Sequence, residues 1–548
     1  MKKHILFAAM SLATLPMTAQ ETYENAKLLG EDLNGTARYV GMGGAMEALG
    51  ADISTISSNP AGIGLFRRSA VSASFGLKMQ GGNQSFDGQS KTTASFDQIG
   101  FVISTQTRRN SFLNFSFNFH KGKNFNQILS ASNRINSGSS QNLSYQKGVR
   151  GDVSNGGFDP ALDKNNEYIG YENPKSDRTA QTFSQTDYLN WNVFIPNKVG
   201  TEDVLFEYSE ASDYTFGRKT SGYIGNYDFN VSGNIHDIVY LGIDFGIKDV
   251  RYKDYSIYDE ALVKKDKDGN VEPDGNATYS DERQIRGTGF DVALGVIVRP
   301  IESSPFRFGV SVKTPTWYNL TTENYTTVKN TSSFGLNPDK KVREAYDFKL
   351  YTPWKFGVSL GHTVGNYLAL GASFDYEDYG AADTRINDGV IVDGRGAFET
   401  NSRDRVMKAH TERTLKGVST FKVGAEIKAA PEVAIRVGYN YVSPAYNSNA
   451  QKDMTLESPG TYYASATDFT NWKATNRFTC GIGYAKKGFH ADLAFQYAAQ
   501  KGDFYPFQSL ETPYIDAKNK PQTAVCNPGA TEVTNNRSQL LLTVGYRF

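Results

Sequence analysis

Several stretches of this 548-residue chain carry residue types that could do chemistry, and each asks for a particular setting. Gly357-Val358-Ser359-Leu360-Gly361 has the G-x-S-x-G spacing of a hydrolase nucleophile elbow. That elbow needs a strand–turn–helix junction, whereas here the serine stands inside an alternating run with Phe356, Val358 and Leu360 on one face. Asp266-Lys267-Asp268-Gly269-Asn270 starts like a calcium loop, but Val271 occupies the place of the required glycine. His120, His236, His362, His410 and His490 are scattered singly, without metal-ligand spacing. Asp244, Asp291, Asp375 and Glu426 are expected to face a hydrated interior. No enzyme reading, metal site or cofactor survives this inspection.

Binding chemistry is better represented. Between 124 and 218 the chain carries Tyr188-Leu189-Asn190-Trp191-Asn192-Val193-Phe194-Ile195-Pro196 and Val204-Leu205-Phe206-Glu207-Tyr208. A water-facing connection seldom needs so much apolar area. Two readings fit: Leu189, Trp191, Val193, Phe194, Leu205 and Phe206 pack against other loops as a cap, or they form a groove for a hydrophobic solute.

The elements that position these residues are strands. Period-two alternation marks fourteen segments, near 67–79, 92–105, 111–123, 219–232, 237–253, 285–299, 305–319, 345–362, 366–380, 415–429, 432–444, 472–487, 489–502 and 537–548. In the fifth, Leu241, Ile243, Phe245 and Ile247 oppose Asp244 and Lys248; in the eleventh, Val433, Ile435 and Val437 oppose Arg436. Connections alternate strictly. The short ones are 106–110, 233–236, 300–304, 363–365, 430–431 and 488; the long ones are 80–91, 124–218, 254–284, 320–344, 381–414, 445–471 and 503–536. Apolar-out, polar-in strands, even in number and joined alternately by short and long links, predict an all-β, fourteen-stranded antiparallel transmembrane barrel with long extracellular loops. Aromatics near strand ends, such as Trp317, Tyr351 and Trp354, fit interface girdles.

Composition agrees. The chain has 52 Gly, 34 Phe and 32 Tyr with only 2 Cys, and mean hydropathy is −0.48, so membrane insertion requires a closed barrel and not a helix. Its 58 basic and 58 acidic residues balance, which gives no hint of nucleic-acid binding. Residues 1–19 read as a signal peptide: Lys2 and Lys3, an apolar stretch from Ile5 to Leu15 too short to span a bilayer, and Met17-Thr18-Ala19 before Gln20. At the other end, Leu540, Leu542, Val544, Tyr546 and Phe548 alternate to the last residue. Such an aromatic terminus resembles those of outer-membrane proteins, whose assembly machinery would be a partner through Phe548.

Gly35 to Phe66 breaks the pattern. Met42, Met46 and Leu49 recur at helical spacing, Asp52 is placed to cap a second turn, and Pro60 to open a third. The expectation is a compact plug, residues 20–66, inside the barrel of residues 67–548. Gly35-Thr36-Ala37-Arg38, Gly41-Met42-Gly43-Gly44-Ala45 and above all Asn59-Pro60-Ala61-Gly62 resemble the hatch of the FadL family, especially its branch in Bacteroidota-type bacteria; Thr352-Pro353-Trp354 is a further point of likeness. That family comprises outer-membrane long-chain fatty-acid transporters and relatives for toluene and other hydrocarbons. The resemblance implies a fourteen-stranded barrel with a lumenal hatch and a location in the bacterial outer membrane. It also implies passive uptake of a hydrophobic small molecule: capture by loops, movement of a hatch containing Asn59, Pro60, Ala61 and Gly62, then lateral release into outer-membrane lipid. The long third connection departs from the family pattern. Two other functions stay open, a general diffusion porin and a surface adhesin or structural barrel working through its loops.

Overall fold

Alternating side chains close the sheet on itself. The computed structural model describes residues 20–82, 84–149, 159–172, 183–199, 203–266, 268–393, 396–515 and 520–548; the segment read as a signal peptide lies outside them. Fourteen antiparallel strands form one barrel. They are β1 (Ala70–Gln80), β2 (Thr92–Arg108), β3 (Ser111–Asn124), β4 (Glu210–Ile235), β5 (Val239–Lys265), β6 (Val271–Val298) and β7 (Arg307–Lys313 with Trp317–Asn330). Then follow β8 (Asp339–Tyr351 with Lys355–Val364), β9 (Leu368–Asp378), β10 (Gly417–Ala430), β11 (Val433–Val442), β12 (Phe469–Lys486), β13 (Phe489–Tyr505) and β14 (Arg537–Arg547). Closure is made by β1, which pairs with β2 on one side and with β14 on the other, from Ala70↔Arg547 to Gln80↔Arg537.

The outer face carries a continuous apolar belt, from Phe75 on β1 through Phe245, Leu294, Phe356 and Ile435 to Leu542 on β14, all exposed. On β5 the belt ends above Ile247, where the same face continues as Asp249, Arg251 and Lys253. Exposed apolar side chains on every wall are unstable in water and stable in hydrocarbon, so this is a membrane-spanning barrel. Among the described residues no helix is long and apolar enough to cross a membrane.

Strands β4, β5 and β6 outrun the sequence expectation, beginning at Glu210, running to Lys265 and beginning at Val271 respectively. Above the belt their outer face is polar, which weakens the period-two signal while the hydrogen-bond ladder continues. Two strands are broken. Thr314-Pro315-Thr316 interrupts β7 and Thr352-Pro353-Trp354 interrupts β8 at the same height. Neither proline has an N–H to give. Thr316 N donates instead to Thr352 Oγ1 (2.7 Å), and Thr352 N to Thr316 O (3.1 Å).

The plug fills the lumen as short turns. Its first helix, Thr22–Ala26, is followed by Ala37–Gly41, capped by Thr36, and by two 3-10 turns, Ile53–Ser57 and Pro60–Leu65. Asp52 caps the first of them and Pro60 opens the last, as the sequence suggested, and Asn59 caps that last turn. The expected helix face Met42–Met46–Leu49 is not a helix. Gly43 and Gly44 take positive φ (65° and 81°), which ends the helix and turns the chain, and the three apolar side chains are buried together through turns instead.

Candidate functional site: plug, cavity and cap

The plug lies against inward-facing glycines, and its backbone comes closer to the wall than any side chain would allow. Gly361, Gly371, Gly424 and Gly438 are successive cross-strand partners on β8 to β11. A Cβ on Gly371 would come within 1.8 Å of the Ala45 carbonyl oxygen, and one on Gly424 within 2.2 Å of the Met42 carbonyl oxygen. The Asn59-Pro60-Ala61-Gly62 turn has its own seat. Asn59 Oδ1 accepts from Ala61 N (3.1 Å), Asn59 Nδ2 donates to Val310 O (3.4 Å), and Pro60 O accepts from Ser232 Oγ (2.9 Å). Ala61 is fully buried with Tyr240 and Ile297, and a Cβ on Gly62 would meet Thr55 Oγ1 at 2.5 Å.

Charge fastens what the glycines seat. Arg38 holds Glu426 of β10 through Nε (2.9 Å) and Nη2 (2.8 Å), and Glu426 is shared with Arg436 (2.6 Å). Glu47 meets Lys422 (2.7 Å), Glu31 meets Lys313 (3.1 Å) and Glu24 meets Arg283 (2.8 Å). The lumen carboxylates Asp291 and Asp375 therefore belong to buried ion-pair chains, against the expectation of a hydrated face, and Glu426 to a part-buried one; Lys422 joins Asp375 (2.7 Å) as well as Glu47. Asp244 is also buried. Packing against the plug excludes the water that the sequence reading assigned to these groups. Burial and the neighbouring Asp375 push the Glu47 carboxyl up, with Lys422 opposing. Lys313 and its cationic neighbours hold the Glu31 carboxyl well below its usual range.

Above the plug lies a cavity of about 330 Å³, bounded by residues 23–34 of the plug and by the wall. Tyr23, Phe125, Tyr252, Tyr446, Phe469 and Trp472 give it aromatic surface, while Lys123, Arg477, Arg537, Asp32 and Glu377 give it charge. The aromatic rings pack on one another: Tyr23 stacks on Tyr446 at 5.2 Å and contacts Phe469 at 5.0 Å. A chamber of this size and mixed lining can hold a small amphiphilic molecule.

No family model matches the chain, and no curated protein matches it. Solved structures similar to it include transport barrels. The toluene transporter TbuX of Ralstonia pickettii is 11% identical with a TM-score of 0.43, covering 94% of this chain and 99% of its own. A FadL homologue of Pseudomonas aeruginosa is 11% identical with a TM-score of 0.46, covering 95% and 99%. The P. putida toluene transporter TodX is 11% identical with a TM-score of 0.43, covering 94% and 99%.

Over the cavity sits a cap built from the third connection. Gln127–Arg134 pairs with the top of β4, and helices Ser140–Val149 and Gln185–Val193 lie across the mouth. Ser184 and Asp187 close a capping box at the second helix. Leu189, Trp191, Val193 and Phe194 have no exposed surface, so in this conformation they offer nothing to a ligand. Leu189, Val193 and Phe194 join Phe216, Tyr258, Phe504 and Cys526 in one core, while Trp191 packs on Tyr171 and Phe206 in another. Phe206 is half-buried and Leu205 is exposed. Sequence reasoning missed the plug's partners Lys422, Lys313 and Arg283. Their inward parity was readable, but the plug residue each would meet was not.

Proposed function

We propose that this protein is a channel of the bacterial outer membrane that takes up hydrophobic small molecules passively, with Asn59, Pro60, Ala61 and Gly62 as its gate. The observation that carries this reading is a membrane barrel whose lumen is occupied by a wall-seated plug beneath an aromatic-lined cavity. A diffusion porin would keep its lumen open. An apolar solute gains about 0.8 kcal/mol per methylene buried, so lipid is a downhill exit and an aqueous pore is not.

Capture is by the loops, where exposed Leu205 and half-buried Phe206 edge the cap. Lateral release is placed at the paired breaks of β7 and β8. Behind them lies a second space of about 50 Å³ lined by Leu28, Thr316 and Pro353, and Trp317 and Trp354 flank the breaks on the lipid side. Opening there breaks few backbone hydrogen bonds, because two of the residues are prolines.

The test is reconstitution in liposomes. The reading expects saturable uptake of oleate or toluene with little steady ion conductance, and a hydrophobic molecule in mass spectra of protein purified from its native membrane. Steady conductance of small ions without uptake of any hydrophobic probe would assign a porin instead.

A further inference from the structure

One wall of the cavity carries more positive charge than the protein itself neutralises. β3 should show its side chains alternately in and out, but a bulge between Lys121 and Lys123 shifts the register against β4, and Lys123 pairs with Ile224 and lines the cavity. A bulge re-aims a side chain in this way. Beside Lys123 stand Arg477 of β12 and Arg537 of β14, which line the same space. Lys78 of β1 is the cross-strand partner of Gln539, one lumen-facing position from Arg537. Among the described residues neither Arg537 nor Lys78 has a carboxylate within ion-pair distance.

Asp32 of the plug sits in the middle of these four cations. It is tethered by its backbone N to Gly122 O (2.7 Å), on the bulge, and its Oδ2 accepts from Asn124 N (3.0 Å), while its nearest cation, Arg477 Nη2, is 3.8 Å away. Burial would raise this carboxyl, but Arg537, Lys78, Arg477 and Lys123 outweigh it and hold Asp32 well below the usual carboxylate range. The other groups acting on this wall are Lys121, which donates to Ser95 Oγ (2.8 Å), and the carboxylates Asp97 and Glu377. With Asp32 withdrawn, those two carboxylates would face five cations. That excess exceeds what one monoanionic head can balance.

We infer that this wall is a head-group site for a doubly charged amphiphile, an alkyl phosphate monoester, and that Asp32 is a built-in stand-in which the incoming head displaces. Phe125, Phe469 and Trp472 in the same cavity would hold the tail. Displacing the Asp32 carboxylate breaks its bond from Asn124 N, and a head group that engages Lys123 competes with the Leu29 carbonyl for that ammonium, so occupancy of the site weakens the plug's hold on the β3 bulge while the Asp32 N–Gly122 O bond remains. The inference rests on the uptake reading above and narrows its ligand.

The experiment is calorimetric titration of the protein in uncharged-lipid nanodiscs at pH 7.5, with empty discs subtracted. The probes are octyl phosphate, octanoate, octanol and octyltrimethylammonium. At that pH the phosphate monoester is largely dianionic, its second pKa being about 6. Octyl phosphate should bind at least about tenfold more tightly than octanoate, since charge-assisted contacts to several cations add. Arg537→Gln with Lys123→Gln should remove that preference. Asp32→Asn should act oppositely, raising octyl phosphate affinity about threefold or more by removing the competitor. Equal binding of octanol and octyl phosphate, or an Asp32→Asn variant that binds no better, overturns the head-group site and leaves hydrophobic uptake standing. Failure of all four probes to bind overturns both.

Discussion

Gly242 of β5 and Gly295 of β6 are direct cross-strand partners, and the Pro60–Ala61 peptide lies on the pair. A Cβ on Gly242 would come within 2.4 Å of the Pro60 carbonyl carbon, and one on Gly295 within 2.1 Å of Asn59 Oδ1. The plug's last turn thus depends on two absent side chains in the wall. Gly242→Val, on a β-compatible backbone, should leave the barrel closed and heat-modifiable while lifting the turn off its seat. Overpacking of this kind costs about 1–3 kcal/mol. Conductance in a planar bilayer checks it: the variant should conduct ions several-fold more than the parent. An unchanged trace would mean that the turn does not seal the lumen.

Lipid-facing and lumen-facing neighbours should answer differently. Ile243 lies within the outward stripe of β5, and Ile243→Arg should cost roughly 2–4 kcal/mol as a charge near the bilayer midplane. Asp244, its neighbour, is buried inside. Asp228 and Asp291 both lie within 3.6 Å of Lys248 in the same region, so Asp244→Asn removes one carboxylate from a crowded group. The asparagine variant should assemble as well as the parent. Yield of heat-modifiable protein after refolding measures both, and equal loss in the two would contradict the register described here.

Cap stability should depend on pH through Glu260, which lies on the part of β5 above the belt. Its carboxylate accepts from Ser140 N (2.7 Å), Ser140 Oγ (2.8 Å) and Tyr258 Oη (2.6 Å), tying the cap helix Ser140–Val149 to the wall. Burial pushes its pKa from 4.5 up to about 7, against the pull of those hydrogen bonds. A carboxyl raised on folding favours the folded state when protonated. Its contribution is full below about pH 4.5, falls as pH rises toward 7, and is gone above it, a span of at most about 3–4 kcal/mol. Protection factors of the amides in 140–149, corrected for the intrinsic pH dependence of exchange, should therefore be higher at pH 5 than at pH 8, and Glu260→Gln should flatten the difference.

The two cysteines report on the cap. Cys526 is buried in the core that includes Leu189 and Phe194, and Cys480 is exposed on the outer face of β12, at belt level. A water-soluble maleimide should label neither in the native protein embedded in lipid. Leu189→Ala should cost about 2–5 kcal/mol in the cap alone and make Cys526 reactive while the barrel stays heat-modifiable. Mass spectrometry of the labelled peptide decides the matter.

The strands, their alternation and the short–long rhythm of their links were open to reading in the sequence, because period two is a local property and the bilayer imposes it on every wall residue. The cap at Asp52 and the turn opened by Pro60 were legible for the same reason: such a turn is made within three or four residues. What only the tertiary structure decided are meetings between distant positions. Nothing near Lys422 announces Glu47, nothing near Gly371 announces the Ala45 carbonyl, and no parity rule turns Lys123 inward, since the bulge that does so depends on its neighbour strand. The apolar run Leu189 to Phe194 could equally have faced a ligand or a core. Burial against Phe216, Tyr258 and Phe504 decided for a core, because hydrophobic residues state how much surface must be covered and leave the covering partner to the fold.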